Sequence, residues 1–108
     1  AFSQIFTNFI MNSINHAFAK DDNGVITIDI EVVNDKVQII YSDNGKGISS
    51  EKLDKIFIPF YTTRKKSGGT GLGLSIVKDI VTVTLNGNIS CSSIENKGTS
   101  FQLDIPYK

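Results

Sequence analysis

Two different periods govern the apolar positions of this chain, and the change from one to the other marks out its elements. Over residues 2–20, Phe2, Phe6, Phe9, Ile10, Ile14 and Ala17 recur at helical spacing and, at about 100° per residue, share one broad arc. Asn8, Asn12 and Asn15 fall within about 60° of one another on the opposite side. Asp21-Asp22-Asn23-Gly24 then supplies turn chemistry that ends the helix. Over 25–33 the period becomes two, with Ile26, Ile28, Ile30 and Val32 facing one way and Thr27, Asp29 and Glu31 the other. Asn34-Asp35-Lys36 reads as a hairpin turn and 37–42 as its second strand.

A glycine-punctuated loop, Asp43-Asn44-Gly45-Lys46-Gly47-Ile48, follows. Ser49 or Ser50 caps a short helix carrying Leu53, Ile56 and Phe57 on one side. Residues 58–70 have no clean period, contain Pro59 and close on Ser67-Gly68-Gly69, the pattern of a mobile loop. The stretch 71–85 is rich in Ile and Val, yet Ile76/Val77, Ile80/Val81 and Leu85 recur at helical spacing, which outranks propensity. Asn86-Gly87 stops this helix, and strands at 88–94 and 99–105 flank Glu95-Asn96-Lys97-Gly98. The order α-β-β-α-α-β-β gives an α+β sandwich, a sheet covered by helices on one face. Phe9 and the other phenylalanines, with Met11, are expected in the core, and Cys91 is expected to be a small buried hydrophobe.

Composition narrows the function. Eleven basic and eleven acidic side chains cancel over 108 residues, which argues against a nucleic-acid or membrane-surface module; Arg64-Lys65-Lys66 is the one basic run. No apolar stretch approaches the ~20 residues of a bilayer span, and no signal peptide opens the chain. A single cysteine excludes an internal disulfide and points to a reducing, cytoplasmic setting. The chain opens on Ala1 already inside a helical pattern, so one domain over 1–108, cut from a longer protein with its upstream partner missing, is expected.

Three features carry candidate chemistry, each with a plain alternative. The asparagine stripe is either a solvated face or a set of hard, neutral carboxamide ligands suited to Mg2+ whose charge phosphates already balance. Asparagine is a poor choice for an idle helix face, which weakens the first reading. Asp43, at a strand end, is either a turn residue bonding its own backbone or an acceptor for an exocyclic amine, with Gly45 and Gly47 letting backbone approach a flat ring. Gly69-Thr70-Gly71-Leu72-Gly73-Leu74 at a helix start is either a hinge or a cradle for anionic oxygens. It is neither a Walker A loop nor the dinucleotide fingerprint, because no Lys-Ser/Thr pair follows and Leu74 stands where the latter needs glycine. His16, one turn after Asn12, is by itself an ordinary structural or surface histidine.

These features occur in one order, and together they resemble the catalytic ATP-binding domain of sensor histidine kinases, a branch of the Bergerat-fold ATPases. Asn8-Phe9-Ile10-Met11-Asn12 resembles the family's N box, Asp43 to Gly47 its G1 box, and Phe57-Ile58-Pro59-Phe60 its F box. Gly69 to Leu74 resembles the G2 box, and Gly98-Thr99-Ser100-Phe101 the closing strand motif. The resemblance implies a two-layer α/β sandwich with a mixed, mostly antiparallel sheet and helices packed on one face. It implies ATP and Mg2+ as ligands, with Asn12 supplying an oxygen to the metal and Asn8 lining the same site. Asp43 would accept from the adenine amine with support from Thr99, and Gly45 and Gly47 would shape the adenine pocket. Gly69, Gly71, Leu72 and Gly73 would surround the phosphates, and residues 57–68, from Phe57 past Phe60, would form a lid over the nucleotide. Arg64 or Lys65 is our own candidate for the γ-phosphate, and His16 is a secondary candidate beside Asn8 and Asn12. One departure stands out: many members carry Lys where this chain has Asn15.

The resemblance also separates three activities. Hydrolytic relatives place Glu where this chain has Asn8, and an amide cannot usefully take a proton near neutral pH. Phosphoryl transfer instead needs alignment and charge neutralisation. The expected activity is therefore transfer of the ATP γ-phosphate to a histidine on a separate dimerisation domain, with a response-regulator receiver domain as the later partner. No nucleic acid and no direct membrane contact are expected. A catalytically inert nucleotide sensor, favoured by the missing Lys, and a slow ATPase are the alternatives.

Overall fold

The computed structural model describes residues 2–14, 23–59 and 73–106. Helix α1 spans Phe2–Asn12 and opens into a wider, π-type turn at Ser13 and Ile14. Strands β1 (Ile26–Val33) and β2 (Lys36–Asp43) form a hairpin closed by Asn34-Asp35, with Asn34 in the left-handed region at φ 58°. Asparagine tolerates that region better than other side chains with a Cβ. Asn86 and Asn96 do the same at the end of the second long helix and in the last hairpin. Helix α2 is one turn, Ser50–Leu53; Ser49 occupies its N-cap with extended backbone and no side-chain capping bond. Helix α3, Gly73–Asp79, continues as a π-helical segment over Ile80–Thr84, and strands β3 (Asn88–Ile94) and β4 (Gly98–Pro106) complete the described chain.

The sheet order is β1-β2-β4-β3, and every pairing among these strands is antiparallel. Register assigns the two faces. Ile39 lies opposite Leu103, Tyr41 opposite Phe101 and Asp43 opposite Thr99, so these six share the helix-covered face. Cys91 and Ser93 join them from β3. The other face is polar around Gln38, Ser42, Ser100 and Gln102, with Ser42 and Ser100 hydroxyls 3.0 Å apart.

The core is Ile5 and Phe9 of α1, Ile39 and Tyr41 of β2, Ile56, Leu74, Val77 and Val81, and Phe101, Leu103 and Ile105 of β4. Phe9 is its centre, stacked between Tyr41 at 4.8 Å and Phe101 at 4.7 Å. That seat corrects the orientation expected for the first helix. At about 100° per residue the buried line Ile5, Phe9, Ser13 is centred on Phe9, at the edge of the broad apolar arc nearest Asn12. Met11 and Ile14, roughly 140–160° from that line, are consequently 48% and 53% exposed rather than in the core, while Phe2, in line with it but the first residue of the helix, is 43% exposed. Asn8 and Asn12 are half-buried rather than on a solvated far side. The arc is wider than one face can cover, and two aromatic rings on the sheet choose which flank is buried.

The second long helix follows its expected period, with Val77 and Val81 fully buried. Strand β1 alternates as expected, but it is an edge strand. Ile28, Ile30 and Val32 point to the helix-covered side and are 41%, 59% and 65% exposed, because the core beneath α1 and α3 is centred on β2 and β4.

Candidate functional site

Asp43 closes β2, and the elements around it converge there. Its Oδ1 accepts the N–H of Gly45 at 3.0 Å, so the plain reading of a turn residue holds locally. Its Oδ2 accepts the hydroxyl of Ser13 at 2.9 Å, a bond to α1 that no turn requires. Ser13 in turn lies 2.7 Å from the Tyr41 hydroxyl, which donates to the Phe9 carbonyl at 3.1 Å. The carboxylate is thereby tied to the asparagine helix, with Asn12 the residue next to Ser13.

The glycine loop after Asp43 is anchored at both ends. Asn44 pairs with Val25, its side chain accepting the Val25 N–H at 2.8 Å. Ile48 donates its N–H to Ser93 Oγ at 2.7 Å, and Asn96 donates to the Lys46 carbonyl at 2.6 Å. Gly47 sits at φ 73°, and a Cβ there would overlap the Ile94 carbonyl. Its missing side chain therefore lets the loop dock onto the β3 end, a packing reason beside the expected approach to a flat ring. Gly98, at φ 122°, makes the same allowance for the Asp43 carbonyl.

Thr99, 7% exposed, lies opposite Asp43, with its Oγ1 2.9 Å from Ser93 Oγ. Ser93 also donates to the Gly98 carbonyl at 2.9 Å. With that hydrogen accounted for, Thr99 is the donor of the pair, and its own oxygen remains able to accept. Phe57 meets Phe101 edge-on at 6.3 Å, with the Lys78 ammonium 5.5 Å from its ring centre. Gly73 opens α3, which packs against α1.

Three side chains bear on the electrostatics and hydrogen bonding around Asp43 and the first helix. Burial, with Asp43 as a lesser cause, pushes the Cys91 thiol up to about 12. Burial also raises Tyr41, with the Ser13 bond opposing and Asp43 adding to it. Among the described residues Asn8 Nδ2 is buried without a hydrogen-bond partner. An orphaned amide in such a place fits a ligand oxygen arriving from outside the chain. The donor set also fits a magnesium-loaded phosphate, since neutral carboxamides suit a hard cation that brings its own anionic ligands. Among the described residues no cluster of three His, Cys, Asp or Glu could hold a metal alone.

Asp43, Gly45, Gly47, Phe57, Thr99, Gly73, Asn8 and Asn12 are thus described, and the first five gather at the Asp43 end of the sheet. His16, Asn15, Phe60, Arg64, Lys65, Gly69, Gly71 and Leu72 lie outside the described residues. Ser13, Tyr41 and Ser93 were missed. A serine in line with Ile5 and Phe9, and a tyrosine on the core parity of a strand, were the available signals for the first two. Ser93 becomes visible only through strand register.

The chain belongs to the family of histidine kinase-, DNA gyrase B- and HSP90-like ATPases, whose sequence profile matches residues 1–108. Within it the chain is an ATP-binding catalytic domain of the histidine kinase kind. It is 39% identical over 104 residues to the sensor histidine kinase ZraS of Escherichia coli K12, covering 96% of this chain and 21% of that protein. It is 36% identical to the sensor histidine kinase WalK of Bacillus subtilis, covering 98% and 18%. The chain thus spans about a fifth of these relatives' length. The catalytic domain of histidine kinase ThkA superposes with a TM-score of 0.80 at 37% identity, covering 97% of this chain and 66% of that one. Among the described residues no helix is long and apolar enough to cross a membrane.

Proposed function

We propose that residues 1–108 form one domain of a longer cytoplasmic-facing kinase, which binds Mg2+-loaded ATP at the Asp43 end of the sheet. The observation that carries this reading is the Ser13–Asp43 bond, which sets the asparagine helix beside the carboxylate and its Thr99 partner. Asp43 accepts from the adenine amine, supported by Thr99, and Gly45 and Gly47 shape the pocket. Asn12 would hold the magnesium, with Asn8 beside it; the ion supplies charge neutralisation to the triphosphate. Gly69, Gly71, Leu72 and Gly73 surround the phosphates, and the segment from Phe57 past Phe60 covers the nucleotide, with Arg64 or Lys65 toward the γ-phosphate.

The acceptor is a histidine on a separate dimerisation domain. Its ring nitrogen forms the new bond to the γ-phosphorus as the bond to the β,γ-bridging oxygen breaks, and ADP leaves. A receiver domain of a response regulator then takes the phosphoryl group. Asn8 has no basic lone pair with which to activate water, which favours transfer over hydrolysis. His16 is a neighbour of the N box rather than the acceptor.

Labelled ATP supplied with a histidine acceptor domain tests the reading. Phosphohistidine is expected; tight binding without it indicates an inert sensor, and steady phosphate release from the chain alone indicates an ATPase. Sites built around a ligand hydrogen bond discriminate by ~10⁴-fold or more. Asp43→Asn is accordingly expected to abolish measurable ATP binding, and comparable affinities for ATP and GTP in the unaltered chain would remove Asp43 from its role.

A further inference from the structure

We propose that Ser13 and Tyr41 are positioning residues for base recognition: a buried hydroxyl pair that locks the Asp43 carboxylate in its amine-accepting orientation. The proposal rests on the reading of Asp43 given above and adds the residues that make it selective.

Ser13 is 2% exposed and Tyr41 1%, so neither side chain faces bulk solvent. Among the described residues two contacts join the pair to its surroundings, Tyr41 to Phe9 O at 3.1 Å and Ser13 to Asp43 Oδ2 at 2.9 Å, and one joins its members, Tyr41 to Ser13 at 2.7 Å. An ionised carboxylate and a carbonyl only accept, so two hydroxyl hydrogens serve three contacts. Ser13 has one use for its hydrogen that satisfies Asp43. Tyr41 divides its own between Phe9 O and Ser13 Oγ, and the shorter contact is the one to Ser13. The hydrogen-bond direction therefore runs from Tyr41 through Ser13 to Asp43, and each link polarises the next.

The consequence at Asp43 is geometric. A carboxylate has about four lone-pair sites. The Gly45 N–H fills one on Oδ1 and the Ser13 hydroxyl one on Oδ2, so rotation about the terminal side-chain bond is blocked from both sides. One site on each oxygen stays available to a ligand. Without Ser13, only the Gly45 contact would remain, and the carboxylate could turn about it. Tyr41 is itself fixed by its stacked contact with Phe9 at 4.8 Å, which ties the pair to the centre of the core.

The test compares ATP with purine riboside triphosphate, which lacks only the exocyclic amine, by calorimetric titration of the chain. The unaltered chain should prefer ATP strongly. Ser13→Ala should weaken ATP about tenfold while leaving the amine-free analogue unchanged, so that the preference shrinks. Tyr41→Phe, which deletes one buried oxygen and keeps the stacked ring, should move the ratio the same way by a smaller factor. The double variant should lose no more than Ser13→Ala alone, because the two act through one link. Equal weakening of both nucleotides, an unmoved ratio, or additive losses would overturn the proposal. An unaltered chain that binds both nucleotides equally would overturn the amine reading of Asp43 itself, and the proposal with it. Should Ser13→Ala fail to fold, the ratio in Tyr41→Phe decides alone.

Discussion

Ser93 Oγ accepts the backbone N–H of Ile48 at 2.7 Å across 45 positions of sequence, pinning the loop after Asp43 to the far edge strand of the sheet. The same oxygen donates to Gly98 O and meets Thr99 Oγ1, so one serine holds both loops that flank the Asp43–Thr99 pair. Ser93→Ala removes all three contacts. A loss of about 1–3 kcal/mol in denaturant unfolding is expected, because the part-buried Ile48 donor is left unpaired. Hydrogen exchange at the Ile48 amide should rise by roughly tenfold or more, as each ~1.4 kcal/mol of local opening energy is a factor of ten. Unchanged exchange at Ile48 would show that the loop holds without this anchor.

Gly98 and Gly73 make a contrasting pair. Gly98 has φ 122°, and a Cβ would strike the Asp43 carbonyl; among the described residues nothing lies within 4 Å of a Cβ at Gly73. Gly98→Ala is expected to cost more than about 2 kcal/mol and to displace Asp43, lowering ATP affinity through the fold. Gly73→Ala should be neutral or stabilising by up to about 1 kcal/mol, since alanine is the better helix residue. Any loss of ATP binding in Gly73→Ala would then arise at the phosphates, and thermal unfolding of the two variants beside their ATP titrations checks the split.

The orphaned Asn8 amide predicts a trade between stability and binding. Asn8→Leu, of the same branched shape though larger, removes a buried donor that has no partner among the described residues, and the chain should gain about 1 kcal/mol in unfolding free energy where the half-buried site accommodates the methyls. ATP affinity should fall in the same variant. A destabilised Asn8→Leu would mean that the amide is paired in solution and is not held ready for a ligand.

Cys91 offers a chemical probe of the same neighbourhood. Its thiol is raised from 9.0 to about 12, by burial first and by Asp43 second. The thiolate fraction at pH 8 should therefore lie roughly a thousandfold below that of an ordinary cysteine, and alkylation should be correspondingly slow. Asp43→Asn removes the second cause and should speed alkylation at pH 8; an unaltered rate would place the carboxylate's field elsewhere. The sign for stability follows from the same shift. A thiol with its folded pKa raised, like the raised Tyr41 phenol, contributes stability that is intact below about pH 9 and is lost as pH rises toward 12. Urea midpoints should decline through that window, and less steeply in Cys91→Ala.

Much of the fold was legible because local patterns are one-dimensional. Alternation marked β1 to β4 within a residue or two, and the Ile76/Val77, Ile80/Val81 spacing marked the helix that buries Val77 and Val81. The Asp43 and glycine motifs were legible for a related reason: backbone approach and left-handed turns restrict residue type strongly at each position. The rotation of α1 was not legible. Met11 and Ile14 are as apolar as Ile5 and Phe9, and only the facing rings of Tyr41 and Phe101 decide which of them is buried.

By itself, then, the sequence determined the element order, the strand faces and the family to which the chain belongs, since each depends on patterns a few positions long. Only the tertiary structure decided that Asn8 is half-buried with its amide unpaired, that Ser13 and Tyr41 stand behind Asp43, and that Ser93 joins two loops. Those relations link residues 28 to 45 positions apart. Their energies come from burial and from hydrogen-bond direction across a packed interface, and neither quantity exists until the helix lies on the sheet.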